Sequence, residues 1–217
     1  MLALVLCLLL TPVVRRFALR YDFVAQPRAD RWHQSPTGLL GGVGIFAAFI
    51  TAWLLVSFYA PPVQGGGPPP TQQAFLLVLS AAAFFLLGLA DDCLDINPQY
   101  KLVGQVVIAS VMVFCGLHIN WFDSMTANYM LSVFWIVGIT NAFNLLDNMD
   151  GLAAGVAFIA GVFLFLWLLT DPLRAAENSA LMVLTAVYLG SLLGFLVFNF
   201  YPASIFLGDC GSMFIGF

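Results

Sequence analysis

Seven apolar stretches, at roughly 1–14, 41–60, 73–90, 102–119, 128–146, 152–170 and 179–198, leave this chain no way to bury its surface in water. A further apolar run begins at Met213. Crossing about 30 Å of hydrocarbon takes about 20 helical residues, and most of the stretches reach that length. The first is short and needs part of 17–19, or a tilt, to cross. The runs are continuous and do not alternate, which argues against a β-barrel. The chain is 62% hydrophobic and 8% charged, whereas a soluble domain is about half apolar and about a quarter charged. The predicted fold is all-α: a multi-pass transmembrane helix bundle of about seven spans plus the start of an eighth, forming one membrane-embedded domain over 1–217. The first stretch lacks a basic leader and an A-x-A site, and Arg15 and Arg16 follow it, so it reads as a retained span and not a signal peptide. Seven basic residues cannot form a phosphate-binding stripe, so nucleic acid is excluded as a partner. Cys7, Cys93, Cys115 and Cys210 have no paired spacing and predict no disulfide framework.

Basic residues set the predicted orientation. Arg15, Arg16, Arg20, Arg28 and Arg31 fall in the first connection and Lys101 in the third, while Arg174 alone falls on the other side. A six-to-one bias places the N-terminus outside a cell membrane and the odd connections in the cytoplasm. The acids then segregate. Asp22, Asp30, Asp91, Asp92, Asp95, Asp147, Asp150 and Asp209 are cytoplasmic, against Asp123, Asp171 and Glu177 outside. Carboxylates have no topological reason to do this, so their placement carries the functional information.

Asp91, Asp92 and Asp95 lie in "GLADDCLDINPQYK" at the end of the third span. Adjacent carboxylates at a helix C-terminus oppose the helix dipole and each other, and so call for a cation; the alternative is a solvated cap. In "TNAFNLLDNMDGL" (140–152), Asn141, Asn144, Asp147 and Asn148 share an arc of about 120° on a helix. Such groups are costly in lipid and mark a functional interior, or else hydrogen-bond between helices. In "FLGDCGS", Asp209 stands between Gly208 and Gly211, where backbone N–H groups can approach a phosphate while the acid holds its metal; a plain turn is the alternative. In the first connection, Arg31 and His33, with Arg28, suit a diphosphate or anionic lipid head groups, or serve as a positive-inside anchor. Cys93 and Cys210 beside acids raise zinc, but C-x-x-C is absent and oxygen donors favour Mg²⁺ or Mn²⁺. Acids, amides and a lysine gathered on one membrane face suit metal-assisted phosphoryl transfer between a soluble substrate and one lodged in the bilayer.

The motifs "RWHQSPT", "LADDCLD", "NAFNLLDNMDGL" and "FLGDCGS" together resemble the polyprenyl-phosphate N-acetylhexosamine-1-phosphate transferases, over nearly the whole chain. "RWHQSP" is similar to the branch using UDP-N-acetylglucosamine more than to the muramoyl-pentapeptide branch. The resemblance implies transfer of an N-acetylhexosamine-1-phosphate from a UDP-sugar to polyprenyl (undecaprenyl) phosphate, with release of UMP, in cell-envelope polysaccharide biosynthesis. It implies catalytic roles for Asp91, Asp92 and Asp147, diphosphate contact by Lys101, and Mg²⁺ at Asn144 and Asp209. Asn141, Arg31 and His33 complete the expected substrate-binding set, and a homodimer is a further expectation. Members of that family continue for several spans, including a cytoplasmic loop with a His-containing motif, so the chain is expected to be a transferase domain incomplete at its C-terminus. Two rivals stand beside this expectation: a cation or proton transporter using the acids as a relay, and a catalytically inactive fragment.

Overall fold

The computed structural model describes residues 1–25, 37–59, 72–170 and 175–217. Their helices are α1 (Leu2–Arg20), α2 (Gly41–Tyr59), α3 (Gln72–Leu94), α4 (Pro98–Phe114), α5 (Met125–Leu146), α6 (Leu152–Thr170), α7 (Ala175–Asn199) and α8 (Gly208–Gly216). Six are long and apolar enough to cross a membrane, and α4, at 17 residues, is an apolar helix just short of that length. Phe163 and Trp167 of α6, Val107 of α4 and Phe134 of α5 stay exposed, as side chains do when the surrounding solvent is lipid. The predicted membrane bundle is thus the observed architecture.

Three expectations about the elements are adjusted. The first span continues through Arg20, so Arg15, Arg16 and Arg20 lie on the last turns of α1 and not in a connection. The eighth helix starts at Gly208, five residues before Met213, and takes "GDCGS" into its first turns. A small antiparallel pair, β1 (Val24–Ala25) with β2 (Thr37–Gly38), is added to the helices.

α1, α2, α6 and α7 pack together on one side, and α3, α4 and α5 on the other, with α8 wedged between them against α2, α3 and α5. That wedge depends on glycine. A Cβ at Gly42 of α2 would run into the backbone of Gly211, and one at Gly88 of α3 into the carbonyl of Asp209. The α7–α8 connection is anchored on both sides. Phe206 donates its N–H to the Gly38 carbonyl (2.8 Å) and accepts from Gly41 N–H (2.9 Å). Ala203 N–H donates to Asp150 (3.0 Å), Gly151 N–H to Asn199 Oδ1 (3.2 Å), and Asn199 Nδ2 to the Ile205 carbonyl (3.0 Å). The loop after α5 and the loop before α8 are therefore stitched together, which fixes where α8 begins.

Candidate active site

Four helix ends meet where α8 begins. α3 delivers Asp91 and Asp92 in its last turn, and the chain then turns sharply through Asp95 (φ 50°). Ile96 N–H donates back to Asp91 Oδ1 at 2.9 Å. Asn97 caps α4 by accepting from Gln99 N–H at 3.0 Å, and Pro98 opens the helix. This turn brings Lys101, one turn into α4, back over Asp91.

The Lys101 ammonium lies 2.7 Å from Asp91 Oδ2 and 2.6 Å from Asp209 Oδ2. Asn144 Nδ2, on the last turn of α5, donates to Asp209 Oδ1 (2.6 Å) and to Ser212 Oγ (2.8 Å). Residues 65 positions apart in sequence thus meet in one polar cluster. Lys101 and Asp91 keep only 12% and 10% of their side-chain exposure, while Asp209 keeps 34%. Asp209 is therefore the carboxylate that a ligand reaches most easily.

Asp92 points elsewhere. Its Oδ1 accepts from Asp209 N–H (2.8 Å) and its Oδ2 from Cys210 N–H (2.9 Å). Asp147, the residue that ends α5, stands near Gly208 N–H. Burial, then the negative charges of Asp209 and Asp92, push the Asp147 carboxyl up to about 8, and the Gly208 N–H only partly offsets this. The Asp209 and Cys210 amides, candidates to meet a phosphate, are thus already occupied by Asp92, and the glycine-flanked segment is a helix start and not an open loop.

Asn141 stands one turn away from this cluster. Its Nδ2 donates to Gln105 Oε1 (2.6 Å) and to the Val137 carbonyl (2.7 Å). It also marks, with Leu102, the near end of an apolar groove of about 830 Å³ between α4 and α5, lined further out by Val106, Val113, Val133 and Phe134. Asp95 is exposed and stays out of the cluster. Arg31 and His33 lie outside the described residues. The sequence reading missed Gln105, which is fully buried, and Ser212. Gln105 follows Lys101 by four positions, the same helix face, in an otherwise apolar run, and that spacing could have found it.

Among the described residues no three His, Cys, Asp or Glu side chains stand in metal-holding geometry. The donor set is a pair of carboxylates with an amide beside them, and a cation, the Lys101 ammonium, already sits between the carboxylates. That fits Mg²⁺, which binds through one or two carboxylates plus phosphate oxygens and waters, and does not fit an all-protein cage.

The glycosyl transferase family 4 pattern matches residues 74–217, and the chain belongs to that family. Similar proteins include a probable undecaprenyl-phosphate N-acetylglucosaminyl 1-phosphate transferase of Bacillus subtilis, 32% identical over 99% of this chain and 58% of that protein. A decaprenyl-phosphate N-acetylglucosaminephosphotransferase of Mycobacterium leprae is 31% identical over 95% of this chain and 55% of its own length. A phospho-N-acetylmuramoyl-pentapeptide-transferase of Oceanobacillus iheyensis is 31% identical over 99% of this chain and 70% of its own length. The chain thus spans little more than half the length of the first two relatives.

Proposed function

We propose that this chain carries the phosphate-handling centre of an enzyme that moves N-acetylhexosamine-1-phosphate, most simply GlcNAc-1-phosphate, from a UDP-sugar to a polyprenyl phosphate. The observation that carries the reading is Lys101 held between Asp91 and Asp209, with its neighbour Leu102 lining an apolar groove between α4 and α5. A lipid tail lying in the groove would bring its phosphate to the Leu102 end. Lys101 would then turn its charge to the phosphates, leaving Asp91 and Asp209 to face a cation. Asp209 and Asn144 are the groups that would hold Mg²⁺, with the Asn144 amide turned to offer its oxygen. When bound, the ion supplies charge neutralisation on the diphosphate.

In the transfer, an oxygen of the lipid phosphate forms a bond to the sugar-linked phosphorus, and the bond from that phosphorus to the oxygen of UMP breaks. The product is polyprenyl-diphospho-sugar. Asp91, next to Lys101, would orient the attacking phosphate, and Asp147 would stand as a neutral carboxyl behind Asp209. The positive-inside bias puts this centre on the cytoplasmic face, where nucleotide sugars are available. The transporter alternative is disfavoured because the acids gather at helix ends and not at mid-bilayer.

Labelling the sugar-linked phosphate of a UDP-sugar tests the reaction type, with the protein at its full length in membranes. The label should move to the lipid while UMP is released. Release of UDP, with the label left in the aqueous phase, would contradict phosphosugar transfer.

A further inference from the structure

The two aspartates that end α3 are adjacent in sequence but face different partners. Asp91 meets the Lys101 ammonium, whereas both oxygens of Asp92 meet main-chain N–H groups of α8. We propose that Asp92 is a positioning residue: it caps the N-terminus of α8 from another helix, fixes the backbone of Asp209, and takes no proton in the transfer. The proposal rests on the transferase reading only for what Asp209 is being held to do.

α8 needs a cap from elsewhere because it has none of its own. The residue before its first turn is Leu207, which makes no side-chain cap hydrogen bond. The opening N–H groups of a helix have no partner within the helix, and burying them unpaired forfeits their hydration with nothing in return. Here two consecutive ones are met by a single carboxylate: both Asp209 and Cys210 by Asp92. A carboxylate is also the group that the positive end of a helix favours.

The surroundings are shaped to this contact. Gly208 adopts φ +76°, and a Cβ on it would come within 3.0 Å of Asp92 Oδ2. Gly88, four residues before Asp92 and so on the same face of α3, lets the helix approach the Asp209 carbonyl. Gly88 and Asp92 therefore form one docking face for the first turn of α8. A group that accepts or delivers a proton needs an oxygen turned to the substrate, and both Asp92 oxygens are turned to backbone.

The test uses amide hydrogen exchange across residues 207–212 in the full-length protein in lipid nanodiscs, together with alkylation of Cys210 by N-ethylmaleimide. Cys210 and Cys7 are buried while Cys93 and Cys115 are exposed, so the last two are first changed to serine and Cys7 serves as the internal reference. Asp92→Ala should speed exchange at Asp209 and Cys210 by tenfold or more and expose Cys210 to alkylation, leaving Cys7 unreactive. Asn is itself a good helix cap, so Asp92→Asn, which keeps one acceptor, should fall between Ala and the native residue in exchange. It should retain transfer within about tenfold of native while Ala loses far more. Asp92→Asn also serves as the folded variant if Asp92→Ala does not insert. Native exchange and native Cys210 protection in the Ala variant, or transfer abolished equally by Asn and Ala with exchange unchanged in Asn, would overturn the proposal. Exchange is measured without substrate, so failure of the transferase reading would leave this result standing.

Discussion

At the scale of single residues, the site is a balance of charges that no one of them could hold alone. Lys101 bridges Asp91 and Asp209, and Asp92 is absorbed by the start of α8. Asp147 carries the largest consequence for pH. Its carboxyl, at about 8, stays protonated in the folded protein at neutral pH but ionises near 3.8 when unfolded. Its contribution is therefore full at low pH and is lost as pH rises from about 4 through about 8. In metal-free protein, thermal stability should fall across pH 5–8, and Asp147→Asn should reduce that slope, the neighbouring carboxyls of Asp91 and Asp92 supplying the remainder; an unchanged slope would show that Asp147 does not contribute to it. The meeting of Asn144 with Asp209 was implied by the family resemblance, and the residues alone showed that both are polar groups at the same end of the apolar spans. The division of labour between Asp91 and Asp92 was not legible in the sequence. It depends on which backbone lies opposite each carboxylate, and periodicity within one helix says nothing about that.

At the scale of elements, α8 is the part that sequence patterning misplaced. Gly, Asp and Ser are weak helix formers, so hydropathy alone put the helix start at Met213. The structure starts it at Gly208, where Asp92 of α3 satisfies the amides of Asp209 and Cys210. Tertiary contacts override local propensity there. The remaining spans were readable because a helix wrapped by lipid and neighbours must be apolar nearly throughout, a signal that needs no partner to interpret. The close approach of α3 to α8 yields a direct check. Gly88→Val should push α8 off its seat, because even a Cβ at that position meets the Asp209 carbonyl. The variant should still insert in the membrane but lose phosphosugar transfer and expose Cys210 to alkylation. Native transfer by Gly88→Val would mean that the α3–α8 contact is not needed to hold Asp209.

At the scale of the whole molecule, the bundle places Asp91, Asp92, Asp147, Asp209 and Lys101 at one end, which the basic bias assigns to the cytoplasm. Two native cysteines test that assignment. Cys93 ends α3 beside the site and Cys115 ends α4, and both are exposed. The 17-residue α4 between them is about 25 Å long, so the two thiols should lie on opposite sides of the membrane. In intact cells a membrane-impermeant maleimide should label Cys115 and should reach Cys93 only after permeabilisation. Labelling of both thiols from outside would overturn the orientation. The most direct test of the account as a whole is the rate of UMP release from UDP-N-acetylglucosamine and polyprenyl phosphate by the full-length protein, compared with its Lys101→Met and Asp209→Asn variants. Removing a group that stabilises charge in the transition state costs about 10²-fold or more, so both variants should fall by at least that much. Asp123→Asn, remote from the site, should keep the native rate. Native rates in Lys101→Met and Asp209→Asn would contradict the claim that this cluster performs the transfer.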